Sequence, residues 1–288
     1  MTALITGANG FIGSNLAAAI PDSLLCDINN NKMYPPDEAI KNITAGNVTV
    51  VYHLGAISAT TETDIALISK TNIEFPSRLL EASLEAQIPF VYASSASVYG
   101  LGTNGFKEDC ELTPLNYYAI SKASFDMFVR QKIIDNPDAK IIGLRYFNVY
   151  GHNEDHKGDM ASPVHKFLEQ ARIAGTIKVF EGSENYYRDF IHISDVIELT
   201  QAAVNFASGI YNIGTGQSRS FANVAAEIAQ LTNSQIKEIS FPEHLKGKYQ
   251  EFTCSDNKLI SSEYRKIYTT LREGVKKTYE DRIHKRLF

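Results

Sequence analysis

Tyr118 and Lys122 stand four residues apart in the stretch Tyr118-Ala119-Ile120-Ser121-Lys122. On a helix that spacing puts both side chains on one face, one turn from each other. A free phenol has a pKa of about 10 and is a poor base at neutral pH. A lysine ammonium held beside it favours the phenolate and draws the phenol toward working pH. Such a pair can take the proton of an alcohol while a second agent takes its hydride. The spacing alone does not choose between this chemistry and an ordinary turn of surface helix.

A second motif, more than a hundred residues upstream, favours the chemistry. Thr6-Gly7-Ala8-Asn9-Gly10-Phe11-Ile12-Gly13 follows the apolar run Ala3-Leu4-Ile5 and precedes Ser14-Asn15-Leu16-Ala17-Ala18-Ala19-Ile20. The run before it reads as a buried parallel strand, and the run after it as a helix. Strand, glycine-rich turn and helix are the setting that a phosphate-binding turn needs. The glycines permit the tight turn and the close approach of backbone to a pyrophosphate. The helix start supplies free N–H groups and a partial positive charge. The spacing is Gly-x-x-Gly-x-x-Gly rather than Gly-x-Gly-x-x-Gly. An acidic residue closes the next apolar run, Ser23-Leu24-Leu25-Cys26-Asp27. Asp27 lies 20 residues after Gly7, where a carboxylate can bond the adenosine ribose hydroxyls.

Positioning these residues takes an alternation of strands and helices, and the first half of the chain has it. Runs at 48–53, 88–93 and 140–145 read as strands, with helices at 74–86 and 118–134 between them. The pattern predicts an α/β fold, a Rossmann-type doubly wound parallel sheet that binds ligands beyond its carboxyl strand ends. After residue 146 the texture changes. Residues 151–158 read as a polar loop, 162–174 as a helix, 211–216 as a return to the sheet, 221–231 as an amphipathic helix and 273–285 as a charged one. This predicts a dinucleotide-binding domain from 1–146 with about 190–216, and a smaller substrate lobe woven from about 147–189 with 217–288. Only 25 residues separate Asp27 from His53, which is short for a complete unit and predicts an open adenine side.

Composition narrows the classes. The chain has 288 residues, 44% hydrophobic and 21% charged, with a net charge of −5, as in ordinary globular proteins. The acidic balance argues against a broad nucleic-acid surface. Cys26, Cys110 and Cys254 are far apart and odd in number. They predict reduced thiols in a cytoplasmic setting rather than a disulfide framework. The first strand follows the initial Met almost at once, so a signal peptide is not expected. No apolar run approaches the roughly 20 residues of a membrane helix.

With these motifs together the chain resembles the extended short-chain dehydrogenase/reductase family, in its nucleotide-sugar branch. The resemblance rests on the glycine turn, Asp27, His53-Leu54-Gly55-Ala56, Asn72, Ser94-Ser95-Ala96-Ser97-Val98-Tyr99-Gly100, Tyr118 with Lys122, and Arg145-Tyr146-Phe147-Asn148-Val149-Tyr150-Gly151. Within the branch it is most similar to the ADP-glycero-manno-heptose 6-epimerases, which supply heptose for bacterial lipopolysaccharide. Thr60-Thr61-Glu62, His156-Lys157-Gly158-Asp159-Met160-Ala161-Ser162, Phe180-Glu181-Gly182-Ser183-Glu184-Asn185, Arg188-Asp189-Phe190 and Lys246-Gly247-Lys248-Tyr249-Gln250 carry that closer likeness.

The resemblance implies roles. Ser95 would bond the reacting hydroxyl beside Tyr118, and Lys122 would hold the nicotinamide ribose. Gly7, Gly10, Phe11, Ile12, Gly13, Asp27, Ile28, Leu54, Gly55, Ala56, Ile57 and Ser58 would line the dinucleotide, with Asn72 anchoring its nicotinamide side. Lys157 would be a second proton-handling group on the far face of the sugar, as an epimerase acting at one carbon requires. Asn148, Val149, Asp159 and Lys166 would meet the sugar. Phe180, Glu181, Gly182 and Ser183 would meet the nucleotide, Arg188 the diphosphate, and Tyr249 would close the site. Asp159 and Lys166 stand where the family has Ser and His, which bears on sugar and nucleotide choice.

Asp27 alone argues for NAD, since a carboxylate repels a 2′-phosphate. The resembling epimerases often use NADP despite an acid here, aided by Asn and Lys, and Asn29, Asn30, Asn31 and Lys32 match. The expected cofactor is therefore NADP, with NAD as the alternative. Other partners implied are a nucleotide-sugar substrate and further copies of the chain. Competing readings are a 4-epimerase, dehydratase or reductase of another nucleotide sugar, and a non-catalytic dinucleotide-binding protein. Ala96 and Ser97 replace the acidic pair of a dehydratase. His152 and His156, with Glu154, Asp155 and Asp159, read as a solvated loop rather than a metal site. His53 reads as a satisfied buried imidazole.

Overall fold

The computed structural model describes residues 2–27, 36–243 and 250–284. Ile28, Lys32 and Tyr249, and with them Asn29, Asn30 and Asn31, lie outside the described residues.

Strands and helices alternate from the start: β1 (Ala3–Thr6), α1 (Phe11–Ala19), β2 (Leu24–Cys26), α2 (Pro36–Thr44) and β3 (Val50–His53). α3 (Ile65–Ser69) passes through a π turn at Lys70–Glu74 into α4 (Phe75–Glu85). β4 (Phe90–Ser95), α5 (Tyr117–Asp135) and β5 (Ile141–Tyr146) follow. The second half carries β6 (Asn148–Tyr150), α6 (Pro163–Ala174), β7 (Thr176–Phe180), β8 (Tyr187–His192), α7 (Ile193–Ala202) and β9 (Gly209–Ile213). It ends with β10 (Ser218–Ser220), α8 (Phe221–Thr232), β11 (Gln235–Ile239), α9 (Lys258–Glu263) and α10 (Leu271–His284).

Six strands form one parallel sheet in the order β2-β1-β3-β4-β5-β9. β1 and β3 are buried along their whole length, so their sequences are apolar runs rather than alternations. One sheet face packs Leu16 of α1 with Ile193, Val196 and Leu199 of α7. The other packs Ile43 of α2, Leu79 and Leu80 of α4, and Phe125 and Val129 of α5. This is the doubly wound arrangement read from the sequence. The direction of winding reverses between β1 and β3, where such sheets leave a ligand crevice.

The short 27–53 segment still holds a helix. The nine residues of α2 bury Ala39 and Ile43, and Asp37 pairs with Arg78 of α4 at 2.8 Å. The second half builds two small sheets, β10-β8-β6 and β11-β7. Ser162 caps α6 by accepting the His165 N–H, and Pro163 opens the helix. Within the predicted 151–158 loop the chain enters a 3-10 segment, Asp155–Met160, that is kinked at Gly158 (φ +50°). Among the described residues no helix is long and apolar enough to cross a membrane.

Candidate active site

A cavity of about 710 Å³ opens at the carboxyl ends of the central strands. Its floor is the glycine turn: Gly7, Gly10, Phe11, Ile12 and Gly13 line it together with Asp27 and the stretch Leu54, Gly55, Ala56, Ile57 and Ser58. Gly7 has φ +67°, and a Cβ there would stand 2.5 Å from Gly55 Cα. No other residue type fits this junction without moving two strand ends. The Asn9 N–H donates to Asp27 Oδ2 at 3.1 Å, which ties the turn to the end of β2. Thr6 Oγ1 accepts from the Gly55 N–H at 3.3 Å and lies 2.7 Å from His53 Nδ1. The direction of the Thr6–His53 bond follows the imidazole tautomer. Burial, with help from Lys122, pushes His53 down to about 3, so it is a neutral structural imidazole.

The π turn carries Asn72. Its Oδ1 accepts from Ile57 N–H at 2.8 Å, and its Nδ2 donates to Ile57 O and to Ser121 Oγ, each at 3.0 Å. One buried side chain thus clamps the 54–58 stretch to α5. π turns of this kind concentrate at functional sites.

Ser95 ends β4, and Tyr118 and Lys122 lie on the first turns of α5, which Asn116 caps by accepting from the Ala119 N–H at 2.9 Å. All three line the cavity. Lys122 is 5% exposed and donates to the Ala93 carbonyl at 2.8 Å. Burial lowers its ammonium to about 8, against the opposing pull of Asp126. Burial also pushes the Tyr118 phenol above its ordinary value; the hydrogen bond with Ser95 works the other way, and Asp126 adds to the rise. The sequence predicts instead that Lys122 draws Tyr118 down. That does not hold in this structure, because desolvation outweighs the Ser95 bond and the Lys122 ammonium is turned to a backbone carbonyl.

The facing wall comes from the second half of the chain. Asn148 and Val149 of β6 line the cavity, as do His156, Lys157, Met160, Ala161, Ser162 and Pro163. Lys157 Nζ lies 3.1 Å from Glu154 Oε2 and 4.7 Å from the centre of the Phe11 ring. Asn15 of α1 also donates to the His152 carbonyl at 3.4 Å. The loop is therefore fastened to the helix that begins at the glycine turn.

The model of the NAD dependent epimerase/dehydratase family matches residues 3–214. The chain belongs to that family. An ADP-L-glycero-D-manno-heptose-6-epimerase of Brachyspira hyodysenteriae is 38% identical, over 96% of each chain. The crystal structure of the Helicobacter pylori ADP-L-glycero-D-manno-heptose-6-epimerase is similar with a TM-score of 0.85 at 28% identity, covering 98% of this chain and 96% of that one. UDP-glucose 4-epimerase of Thermotoga maritima, solved with UDP-glucose, has a TM-score of 0.86 at 25% identity and full coverage of both chains, 100% and 100%.

The family works with a nicotinamide dinucleotide, and this chain's residues fit one. The Gly7 cradle leaves room only for backbone and ligand. Ser94 Oγ, on the cavity wall, is buried and has no hydrogen-bond partner among the described residues. Some residues that the resemblance ties to this epimerase site are not on the cavity. Asp159 is exposed, and its carbonyl accepts from Lys166 Nζ at 2.7 Å. Phe180 packs on Phe241 at 5.5 Å between ring centres, and the Glu181 N–H donates to the Ile239 carbonyl. Gly182 and the buried Ser183 form the turn that follows. Arg188 is 7% exposed, donates to the Tyr187 and Gln250 carbonyls and lies over the Phe221 ring. His152 meets Asp281 at 3.2 Å.

Four residues escape a reading of motifs. Asp126, one turn beyond Lys122, is fully buried, pairs with Arg145 at 2.8 Å and accepts from Tyr92 OH at 2.8 Å. Its spacing from Lys122 is the signal that was available. Glu154 is 1% exposed, yet its sequence neighbours are all polar. Thr71, on the π turn, and Phe75, at the start of α4, also line the cavity.

Proposed function

We propose that this enzyme inverts C6 of the heptose in an ADP-linked manno-heptose, converting ADP-D-glycero-D-manno-heptose to ADP-L-glycero-D-manno-heptose. The observation that carries the reading is that Ser95, Tyr118, Lys122 and Lys157 line one cavity with the glycine turn. The full-length likeness to an epimerase of that name supports the choice of sugar. When bound, the nicotinamide supplies the acceptor and then the donor of the hydride. Ser95 holds the reacting hydroxyl against the Tyr118 oxygen, and Tyr118 takes its proton. Lys122 steadies the ribose. The sugar then presents its other face, and Lys157 returns the proton there. A plain dehydrogenase has use for only the first of these walls.

Asn148 and Val149 meet the sugar in this reading. Phe180, Glu181, Gly182 and Ser183 meet the nucleotide, Arg188 meets the diphosphate, a match of guanidinium to a permanent anion, and Tyr249 closes the substrate side. Asp159 and Lys166 bias the choice of sugar. Asp27, Ile28 and Lys32 hold the adenosine end, and the cofactor is NADP. Asp27 already accepts from the Asn9 amide, which offsets part of its repulsion of a 2′-phosphate. Mass spectrometry of dinucleotide released from the purified protein separates NADP from NAD. The three free cysteines suit a reducing cytoplasm. Exposed Tyr117, Ile120, Met127 and Ile134 on α5 support self-association, which light scattering tests.

The test of the reaction is incubation with ADP-D-glycero-D-manno-heptose. The expected result is a C6 epimer with no net reduction of cofactor. Conversion of a UDP- or GDP-sugar in its place would move the substrate, and turnover of no sugar would leave a dinucleotide-binding protein.

A further inference from the structure

We propose that Glu154 is the positioning residue for Lys157. This rests on the reading of Lys157 as the second proton-handling group. The Glu154 side chain is fully buried, and Lys157's is 23% exposed. Its two oxygens receive four donors. Oε1 accepts from the Gly151 N–H at 3.2 Å and from Ser162 Oγ at 2.7 Å. Oε2 accepts from the Ser162 N–H at 2.8 Å and from Lys157 Nζ at 3.1 Å. An ionised carboxylate offers about four lone-pair sites, and all are used.

Three of those donors close the loop on itself, joining Gly151 to Ser162. Loop closure by itself does not call for a buried charge, which is costly unless paired. The fourth donor is the charge that pairs it. The same carboxylate therefore seals the loop and sets where the Lys157 ammonium stands. The Phe11 ring bounds Lys157 on its other side. Phe11 belongs to the cofactor turn, so the ammonium is fixed between the cofactor floor and the loop. Neither Glu154 nor its carboxylate lines the cavity; it acts on the sugar only through Lys157.

A double-mutant cycle tests this, with four proteins assayed as purified with their bound cofactor: wild type, Glu154→Gln, Lys157→Met and the double variant. Steady-state kcat and KM for ADP-D-glycero-D-manno-heptose are measured, together with bound dinucleotide per chain. Misplacing a reacting group by about 1 Å costs on the order of 10²-fold. Glu154→Gln is expected to lose about that much in kcat, with KM and bound cofactor little changed. Adding it to Lys157→Met should cost nothing further, since the group it serves is gone. Glu154→Asp, which keeps the charge on a shorter arm, should recover part of kcat and covers the case in which the Gln variant misfolds. An equal further loss in the Lys157→Met background overturns the role of Glu154 while leaving that of Lys157 standing. A change confined to KM or to cofactor content also overturns it. Near-normal turnover of Lys157→Met overturns both readings together.

Discussion

Lys122 stands on a regular helix, one turn from Tyr118 and bonded to the carbonyl of a buried strand. Lys157 stands on a 3-10 turn and is bonded to a buried carboxylate of the same loop. One lysine meets a neutral dipole and is pushed down to about 8 by burial. The other meets a full counter-charge and an aromatic face. The first wall is made by secondary structure shared across a sheet, and it suits any oxidation of an alcohol. The second wall is made by a single loop closing on one side chain. A family can therefore keep the first wall while changing the reaction through the second, since altering a loop leaves the strand ends untouched.

The largest effect should come from the first wall. Tyr118→Phe removes the hydroxyl proposed to carry the proton, and should lower kcat by about 10³-fold, within the range of lost acid–base catalysis. Bound cofactor should stay near one per chain, because the glycine turn is unaffected. Loss of cofactor instead would mean that this wall is a binding device, and would erase the contrast with the second.

Next in size is the clamp beneath that wall. Asn72→Ala strips Ile57 N–H, Ile57 O and Ser121 Oγ of a buried partner, at a cost of about 2 kcal/mol. A denaturant midpoint should show it. An unchanged midpoint would mean that α5 holds the wall without the π turn.

Acid separates the two regions through their histidines. His53, under the first wall, is pushed down to about 3 by burial and Lys122. His192, at the end of β8, is pushed down to about 4 by burial, against the pull of Asp195. In both cases the unfolded chain takes up the proton near the ordinary value of about 6.5 and the folded chain does not. Stability is therefore lost as pH falls from that value toward about 3 for His53 and about 4 for His192. Each histidine contributes at most about 1.4 kcal/mol per pH unit. Replacing either by a neutral residue should flatten the acid limb of stability against pH; a limb of unchanged slope contradicts the burial argument.

The smallest change is Ser162→Ala. It removes the α6 cap and one of the four bonds to Glu154, at about 1 kcal/mol. Because the bond lost is on the second wall, turnover should fall more than the melting temperature suggests. A fall in stability alone would make the loop a scaffold and nothing more.

How much of this was legible follows the same division. The parallel sheet, α5 with its Tyr118–Lys122 face and the glycine turn could be read because their signals are local. Burial on both strand faces enforces apolar runs, a helix enforces a spacing of four, and a positive φ at Gly7 enforces glycine. β7 and β11 pair across more than fifty residues, and β11 is largely exposed, so β11 carries no apolar signature and nothing local marks its partner. Asp126 and Glu154 look like surface acids in sequence, since burial of a charge depends on a partner that only folding brings near. The direction of the Tyr118 shift is not legible in sequence for the same reason. Spacing gave the Lys122 neighbour, while desolvation depends on everything packed around the phenol.

The proposed reaction requires Lys157 chemically, not merely its presence. The direct measurement is turnover of ADP-D-glycero-D-manno-heptose by Lys157→Met with its dinucleotide bound, followed as C6 epimer formed per chain. The predicted result is full cofactor content with kcat reduced by about 10²-fold or more. Near-normal turnover with full cofactor would contradict it, and would leave Tyr118 as the only proton-handling group that the cavity needs.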